Sequence, residues 1–348
     1  MDAIELRPGY RISRLIKGGW QLAGDHGEVE PGRAIEGMAA FVDAGITTFD
    51  CADIYTGVEA MIGRFLARYR DERGADAAAA IKVHTKLVPD IDALRRVDRA
   101  YVERIVDRSR ARLGVERLDL VQFHWWDYAV PGCLDALQHL AALQRAGKVE
   151  RIGTTNFDLE HLRELHATGV DIVSAQVQYS LLDTRPSGAF AEWCRANHIA
   201  ILAYGALAGG FLTDAWLGAP DPGRHFSNRS LIKYRLIIDE FGGWDFFEAL
   251  LGALRQIADR HGVTIANVVV RAMLDNPEVD AVILGARYAH HLPQNLKALS
   301  FRLDEEDQAR LDAVLAQRLG PSGPVYGLER DRSGRHGRIM KYRLNAEG

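Results

Sequence analysis

The sequence predicts an α/β protein, a closed (β/α)8 TIM barrel with long loops at its active end and a C-terminal tail. Three observations lead there. Short β-branched or apolar runs alternate with longer stretches that carry apolar residues at helical spacing, the signature of βα repetition. Roughly eight such units follow in series, where a doubly wound sheet rarely runs so long without a change of rhythm. The chain has 348 residues, 47% of them hydrophobic, enough to fill one large core, and no Ser/Pro-rich linker divides it.

Taken in order, the strand candidates are 11–18, 46–50, 79–86, 118–124, 150–156, 172–177, 199–205 and 279–285. Each is a short run rich in Ile, Val, Leu, Phe or Thr. The stretches 32–45, 101–114, 133–147 and 159–169 are amphipathic and end in glycine, which suits a helix C-terminus. Two segments break the rhythm: 205–244, rich in Gly, Pro and Asn, and the tail from Gly320 onward. Long irregular loops in a compact domain are usually lids or binding loops. The expected organisation is therefore a barrel over 1–319 and a basic tail over 320–348. That tail carries Arg330, Arg332, Arg335, Arg338, Lys341 and Arg343. On composition a solvated, partly disordered tail is slightly favoured, although Ile339, Met340 and Tyr342 would suit docking on the barrel or on a second subunit.

Composition also narrows the partners. A net charge of -4 supplies no field to gather nucleic acid or an anionic membrane. No window reaches the roughly 18 apolar residues of a membrane span, and the N-terminus lacks a signal-peptide core. Cys51, Cys133 and Cys194 are odd in number and far apart, with no zinc-type spacing. A cytoplasmic protein with a small-molecule substrate and no metal is the expectation, with self-association left open.

In such a barrel the chemistry sits at the C-terminal ends of the strands. Asp50, Lys86 and His124 each close a candidate strand, and Tyr55 follows Asp50 on the next loop. A phenol with a reference pKa near 10 is a sluggish acid or base at neutral pH. A lysine ammonium about 4 Å away, at an effective dielectric near 20, favours phenolate by about 4 kcal/mol and would draw Tyr55 toward neutrality. Asp50 would pin Lys86 and keep it charged while partly cancelling its field at Tyr55, and His124 would hydrogen-bond and orient a carbonyl oxygen. Singly, each residue is more often a rim residue, a cap or packing. Together they point to proton transfer at a carbonyl. A metal-dependent hydrolase would need convergent ligands, and only His84 and His124 are near candidates.

The order of segments resembles the aldo-keto reductase superfamily. The resemblance runs through TFDCADIYTG, HTK, LDLVQFHW, GKVERIGTTNF, AQVQYSLL, YGALAGGFL and ILGARYAHHLPQNL, between about Leu15 and Leu299. It implies NADPH extended across the barrel mouth and a tetrad of Asp50, Tyr55, Lys86 and His124. By the same resemblance, Thr155, Asn156 and Gln176 hold the nicotinamide carboxamide and Tyr204 stacks on its ring. Leu207, Gly209 and Gly210 pass the pyrophosphate, while Gly285, Ala286, Arg287, His291 and Asn295 hold the adenosine phosphate and adenine. Trp20 forms an aromatic wall of the substrate pocket. Trp125 and Trp126 follow His124, and alternation aims one of them into the mouth. No G-x-G-x-x-G follows a strand, so a Rossmann reading has no support. Arg287 suits the 2′-phosphate of NADP by its planar fork of donors, with NAD as the alternative.

The implied activity is an NADPH-dependent reduction of an aldehyde or ketone to the alcohol, with Tyr55 as general acid. The polar set Arg224, His225, Asn228, Arg229 and Lys233 in 205–244 suits a sugar or other small polar carbonyl. A cofactor-sensing regulatory subunit with little turnover is the reading from another class.

Overall fold

The computed structural model describes residues 3–24 and 27–345. Eight parallel strands close into a barrel: β3 (Leu15–Gly18), β4 (Thr48–Asp50), β5 (Lys82–Leu87), β6 (Leu118–Phe123), β7 (Val149–Thr155), β8 (Ile172–Gln178), β9 (Ala200–Tyr204) and β10 (Ala281–Gly285). They neighbour one another in chain order, and β10 returns to β3. The first expected strand is two. Residues before β3 form an antiparallel hairpin of β1 (Ala3–Arg7) and β2 (Tyr10–Ser13). Between β2 and β3, Arg14 turns out to bond the carbonyls of Asp280 and Leu274. The hairpin stoppers the barrel floor, packing Leu6, Tyr10 and Ile12 against Ile16, Leu120, Leu202 and Ile283.

The outer helices are α1 (Pro31–Asp43), α2 (Val58–Arg73), α3 (Ala75–Ala79), α4 (Arg99–Leu113), α5 (Cys133–Arg145), α6 (Leu159–Ala167), α7 (Ala189–Ala196), α8 (Arg229–Phe241), α9 (Trp244–His261), α10 (Ile265–Asp275), α11 (Leu292–Leu296), α12 (Glu305–Leu315) and α13 (Gly327–Arg330). Their starts follow local chemistry. The Asp98 and Asp158 side chains accept from N3 amides at the heads of α4 and α6, and Thr264 with Asn267 closes a capping box on α10. The segment 205–244 is not irregular throughout. Its Gly- and Pro-rich part ends at Asn228, which caps α8. That helix buries Ile237, Ile238 and Phe241 with Phe211 and Phe247 in a second core shared by α9 and α10. Among the described residues no helix is long and apolar enough to cross a membrane.

Among the buried charged residues outside the mouth, Lys17 lacks a carboxylate partner among the described residues. Lys17 on β3 is 3% exposed, with its ammonium 5.4 Å and 5.9 Å from the ring centres of Phe41 and Phe49. Burial lowers its pKa from 10.5 to about 8. Because the folded value lies below the unfolded one, the unfolded chain binds more protons between those two pH values. Stability therefore rises with pH through that window, and below it the charge costs roughly 3 kcal/mol. Lys17→Met, similar in volume, should stabilise the fold near neutrality by about 1–3 kcal/mol and abolish that rise. Denaturant melts at several pH values check it; parallel profiles for the two proteins would contradict it.

Candidate active site

At the C-terminal end of the barrel a cavity of about 820 Å³ opens. The strand ends deliver Asp50, Lys86, His124, Thr155, Gln176, Tyr204 and Gly285 to it, and the loop after β4 adds Tyr55. Lys86 is tied by three acceptors: Asp50 Oδ1 at 2.9 Å, Asp50 Oδ2 at 2.8 Å and the Cys51 carbonyl at 2.8 Å. Gln176 Nε2 donates to Asp50 Oδ1 at 2.6 Å. The Lys86 ammonium lies 5.0 Å from the Tyr55 ring centre. Trp20 stands against the same ring at 4.9 Å and donates from its indole to Ser230 Oγ at 3.0 Å.

Two electrostatic expectations are corrected here. Tyr55 is not drawn toward neutrality: burial pushes its pKa up to about 12, and Lys86, although it pulls downward, is partly cancelled by Asp50. Burial also opposes the charge on Lys86, but Asp50 and Tyr55 together outweigh it and hold the ammonium above its ordinary value. The second correction concerns His124. Burial, with Arg330 adding to it, lowers this imidazole to about 3, so the ring is neutral. Its Nδ1 lies 2.9 Å from the Thr155 carbonyl, which can only accept, so Nδ1 carries the proton. Nε2 is then a buried acceptor without a partner among the described residues, and His124 does not donate to a carbonyl oxygen in this state.

Further round the mouth, Tyr204 Oη donates to Asn156 Oδ1 at 2.9 Å, and Asn156 takes a positive φ of 63°, which asparagine tolerates better than most residues. Leu207, Gly209 and Gly210 line the cavity. Gly209 (φ +66°) leaves room for α8: a Cβ there would stand 2.7 Å from the Tyr234 ring. Gly285, Ala286, Arg287, Tyr288, His290 and His291 also line the cavity. Two expected site residues fall outside the lining: Asn295, and Trp125, whose buried ring packs on Phe123 and donates to the Val130 carbonyl. Alternation aims Trp126 inward and Trp125 outward. Of the polar set in 205–244, Asn228, Arg229 and Lys233 reach the cavity, whereas Arg224 pairs with Asp239 at the surface and His225 lies outside the lining.

The tail, for which composition only slightly favours a solvated state over docking on the barrel, lies across the mouth and contributes Tyr326, Ile339, Met340, Lys341 and Leu344 to the lining. Arg330 accounts for much of this. It donates to the carbonyls of Trp125 (2.5 Å), Trp126 (2.7 Å) and Asn156 (2.8 Å) and stacks 3.7 Å from the Tyr128 ring centre. Glu329 receives both arms of Arg185, at 2.9 Å and 3.1 Å. Asn345 bonds Asp90 and the Val88 carbonyl.

Residues 14–316 match the sequence model of the Aldo/keto reductase family. The chain belongs to that family. Its relatives include aldo-keto reductase YhdN of Bacillus subtilis, 26% identical over 91% of this chain and 95% of that one. Flagellar radial spoke protein 5 of Chlamydomonas reinhardtii is 32% identical over 64% of this chain, which matches about half (49%) of that longer protein. Among solved structures, a thermostable aldo-keto reductase in complex with the inhibitor epalrestat superposes with a TM-score of 0.69 at 26% identity, covering 90% of this chain and all (100%) of that one. As an aldo/keto reductase family member the chain is an oxidoreductase of a family that uses nicotinamide cofactors.

Several lining residues of this aldo/keto reductase went unseen in the sequence: Ser230, Tyr234, Tyr326 and Leu344 among them. The available signal was apolar and aromatic residues recurring inside an otherwise basic tail, which a solvated segment does not need.

Proposed function

We propose that this chain reduces an aldehyde or ketone to its alcohol with NADPH, Tyr55 giving the proton. The observation that carries the reading is the buried set of Asp50, Lys86 and Gln176 locked beneath Tyr55 at one end of a long cleft. The cleft suits a dinucleotide. Asp50 is the only carboxylate among the described lining residues and is already paired, while Lys86, Arg229, Lys233, Arg287 and Lys341 are cationic. Thr155, Asn156, Gln176 and Tyr204 would hold the nicotinamide, Leu207, Gly209 and Gly210 the pyrophosphate, and Gly285, Ala286, Arg287 and His291 the adenosine end. Arg287 favours the 2′-phosphate of NADP. The reduced nicotinamide supplies the hydride when bound.

The chain's own part is proton chemistry and orientation. With its pKa near 12, Tyr55 keeps its proton at neutral pH. As the carbonyl oxygen gains alkoxide character its basicity approaches that of hydroxide, well above that of the Tyr55 phenolate, so transfer from Oη is downhill. Lys86 stabilises the phenolate left behind. The new hydroxyl can donate to His124 Nε2, which holds no proton of its own. Trp20 and Trp126 wall the substrate.

Carbonyl reduction should be nearly independent of pH across neutrality, while alcohol oxidation, which needs the phenolate, should rise about tenfold per pH unit toward the Tyr55 value. Initial rates in both directions check this; an oxidation plateau near neutrality would assign the base to another group. The proposal itself is tested by following reduced-nicotinamide absorbance with NADPH and NADH against sugar aldehydes, small aldehydes and ketones. Turnover with NADPH supports it, and tight cofactor binding without turnover on any carbonyl opposes it.

A further inference from the structure

We propose that Lys233 is a specificity-determining cation that receives a carboxylate or phosphate borne by the carbonyl substrate. The inference rests on the reductase reading above and narrows its substrate class to anionic carbonyl compounds.

Lys233 lies in the second turn of α8 and lines the cavity. Its ammonium is set among three rings, 5.2 Å from the centre of Tyr204, 5.5 Å from Tyr326 and 5.7 Å from Tyr234. The side chain is 14% exposed, and its nearest charge is Glu329 Oε1 at 4.0 Å. That carboxylate already takes both arms of Arg185. Among the described residues the Lys233 ammonium makes no hydrogen bond. Ring faces attract a cation but accept none of its three protons conventionally, so this compact, largely buried ammonium has no protein acceptor among the described residues and turns its protons to the cavity. Lys86, which lines the same cavity, shows the contrast: its three protons meet three oxygens, and it has nothing left for a ligand. Burial lowers the Lys233 pKa, with Glu329 opposing, which is what a cation waiting for an anion should show.

Position selects the occupant. Tyr204 also bonds Asn156 at the strand ends, and the Tyr326 ring lies 6.0 Å from that of His124. Lys233 therefore stands at the carbonyl end of the cleft, among the rings of Tyr204 and Tyr326. A cofactor phosphate, expected along Leu207, Gly209 and Gly210, is the rival occupant.

Matched substrate pairs test this: succinic semialdehyde against its methyl ester, and glyceraldehyde phosphate against glyceraldehyde, with wild type, Lys233→Met and Lys233→Arg. The expected result is a preference of about 30-fold or more in kcat/KM for the anionic member, reduced to near unity in Lys233→Met and partly restored in Lys233→Arg. No preference in wild type, or an equal preference in Lys233→Met, overturns the proposal, as does a Lys233→Met protein that keeps its preference but binds NADPH less tightly. If wild type turns over neither member of any pair, the reductase reading fails instead. Calorimetry with inorganic phosphate on the cofactor-bound protein then decides for Lys233: binding lost in Lys233→Met keeps the anion site, and equal binding to both proteins removes it.

Discussion

Tyr55→Phe is expected to lower turnover about 10³-fold or more while the protein folds normally and binds reduced nicotinamide within about twofold of wild type. The substitution removes one oxygen. The ring that packs at 4.9 Å on Trp20 remains, and so does the Lys86–Asp50 pair beneath it. What is lost is the proton that the alkoxide needs, and the neighbours cannot replace it. His124 is neutral, with its only proton committed to the Thr155 carbonyl, and the three Lys86 protons are bound to Asp50 and Cys51. Steady-state kinetics with a cofactor-fluorescence titration measures both quantities on one preparation. A wild-type rate in Tyr55→Phe would mean that water or another group protonates the product, and the assignment of Tyr55 would fall. Lys86→Met is a poorer test. It would leave Asp50, 4% exposed, without its cation, and breaking a buried pair costs about 3–5 kcal/mol of stability whatever the residue does in catalysis.

The parts of this molecule that follow from local pattern were legible in its sequence. The ends of apolar runs put Asp50, Lys86 and His124 on one rim, because a barrel strand delivers its last inward side chain to the mouth. The same logic aimed one of Trp125 and Trp126 into the mouth without saying which, and the structure lines the cavity with Trp126. What was not legible depends on residues distant in the chain. Coulomb's law gives the pull of Lys86 on Tyr55 from sequence alone, yet the pKa goes the other way because of burial, the largest influence on it. The tautomer of His124 needs the Thr155 carbonyl, supplied by another strand. In 205–244 the density of Gly, Pro and Asn masked a helix whose apolar periodicity begins only after its Asn228 cap. Net composition also misread the tail, since Arg330, counted as a solvated charge, is spent on three backbone carbonyls.

That tail should prove part of the site. A chain ending at Leu319 is expected to melt several degrees lower and to bind the carbonyl substrate at least tenfold more weakly, with a smaller change in affinity for NADPH. The stability loss follows from Arg185, whose side chain is 2% exposed and would keep Asp183 but lose Glu329; opening a buried ion network costs about 3–5 kcal/mol. The binding loss follows from Tyr326, Met340 and Leu344, which wall the cavity, whereas the adenosine end proposed above uses residues of the barrel, 285–291. Because a truncated chain can fail for general reasons, Arg330→Met isolates the contact. It leaves the carbonyls of Trp125, Trp126 and Asn156 without that donor, at about 1–3 kcal/mol for each acceptor left unsatisfied. It also removes a cation that holds His124 down, so the His124 pKa should move upward, which imidazole NMR titration reads directly. Both variants matching wild type in melting and in carbonyl KM would make the tail a cover only. Should KM rise in Arg330→Met with the melt nearly unchanged, the tail shapes the pocket, since a single residue of the tail would then set how the substrate is held against Tyr55.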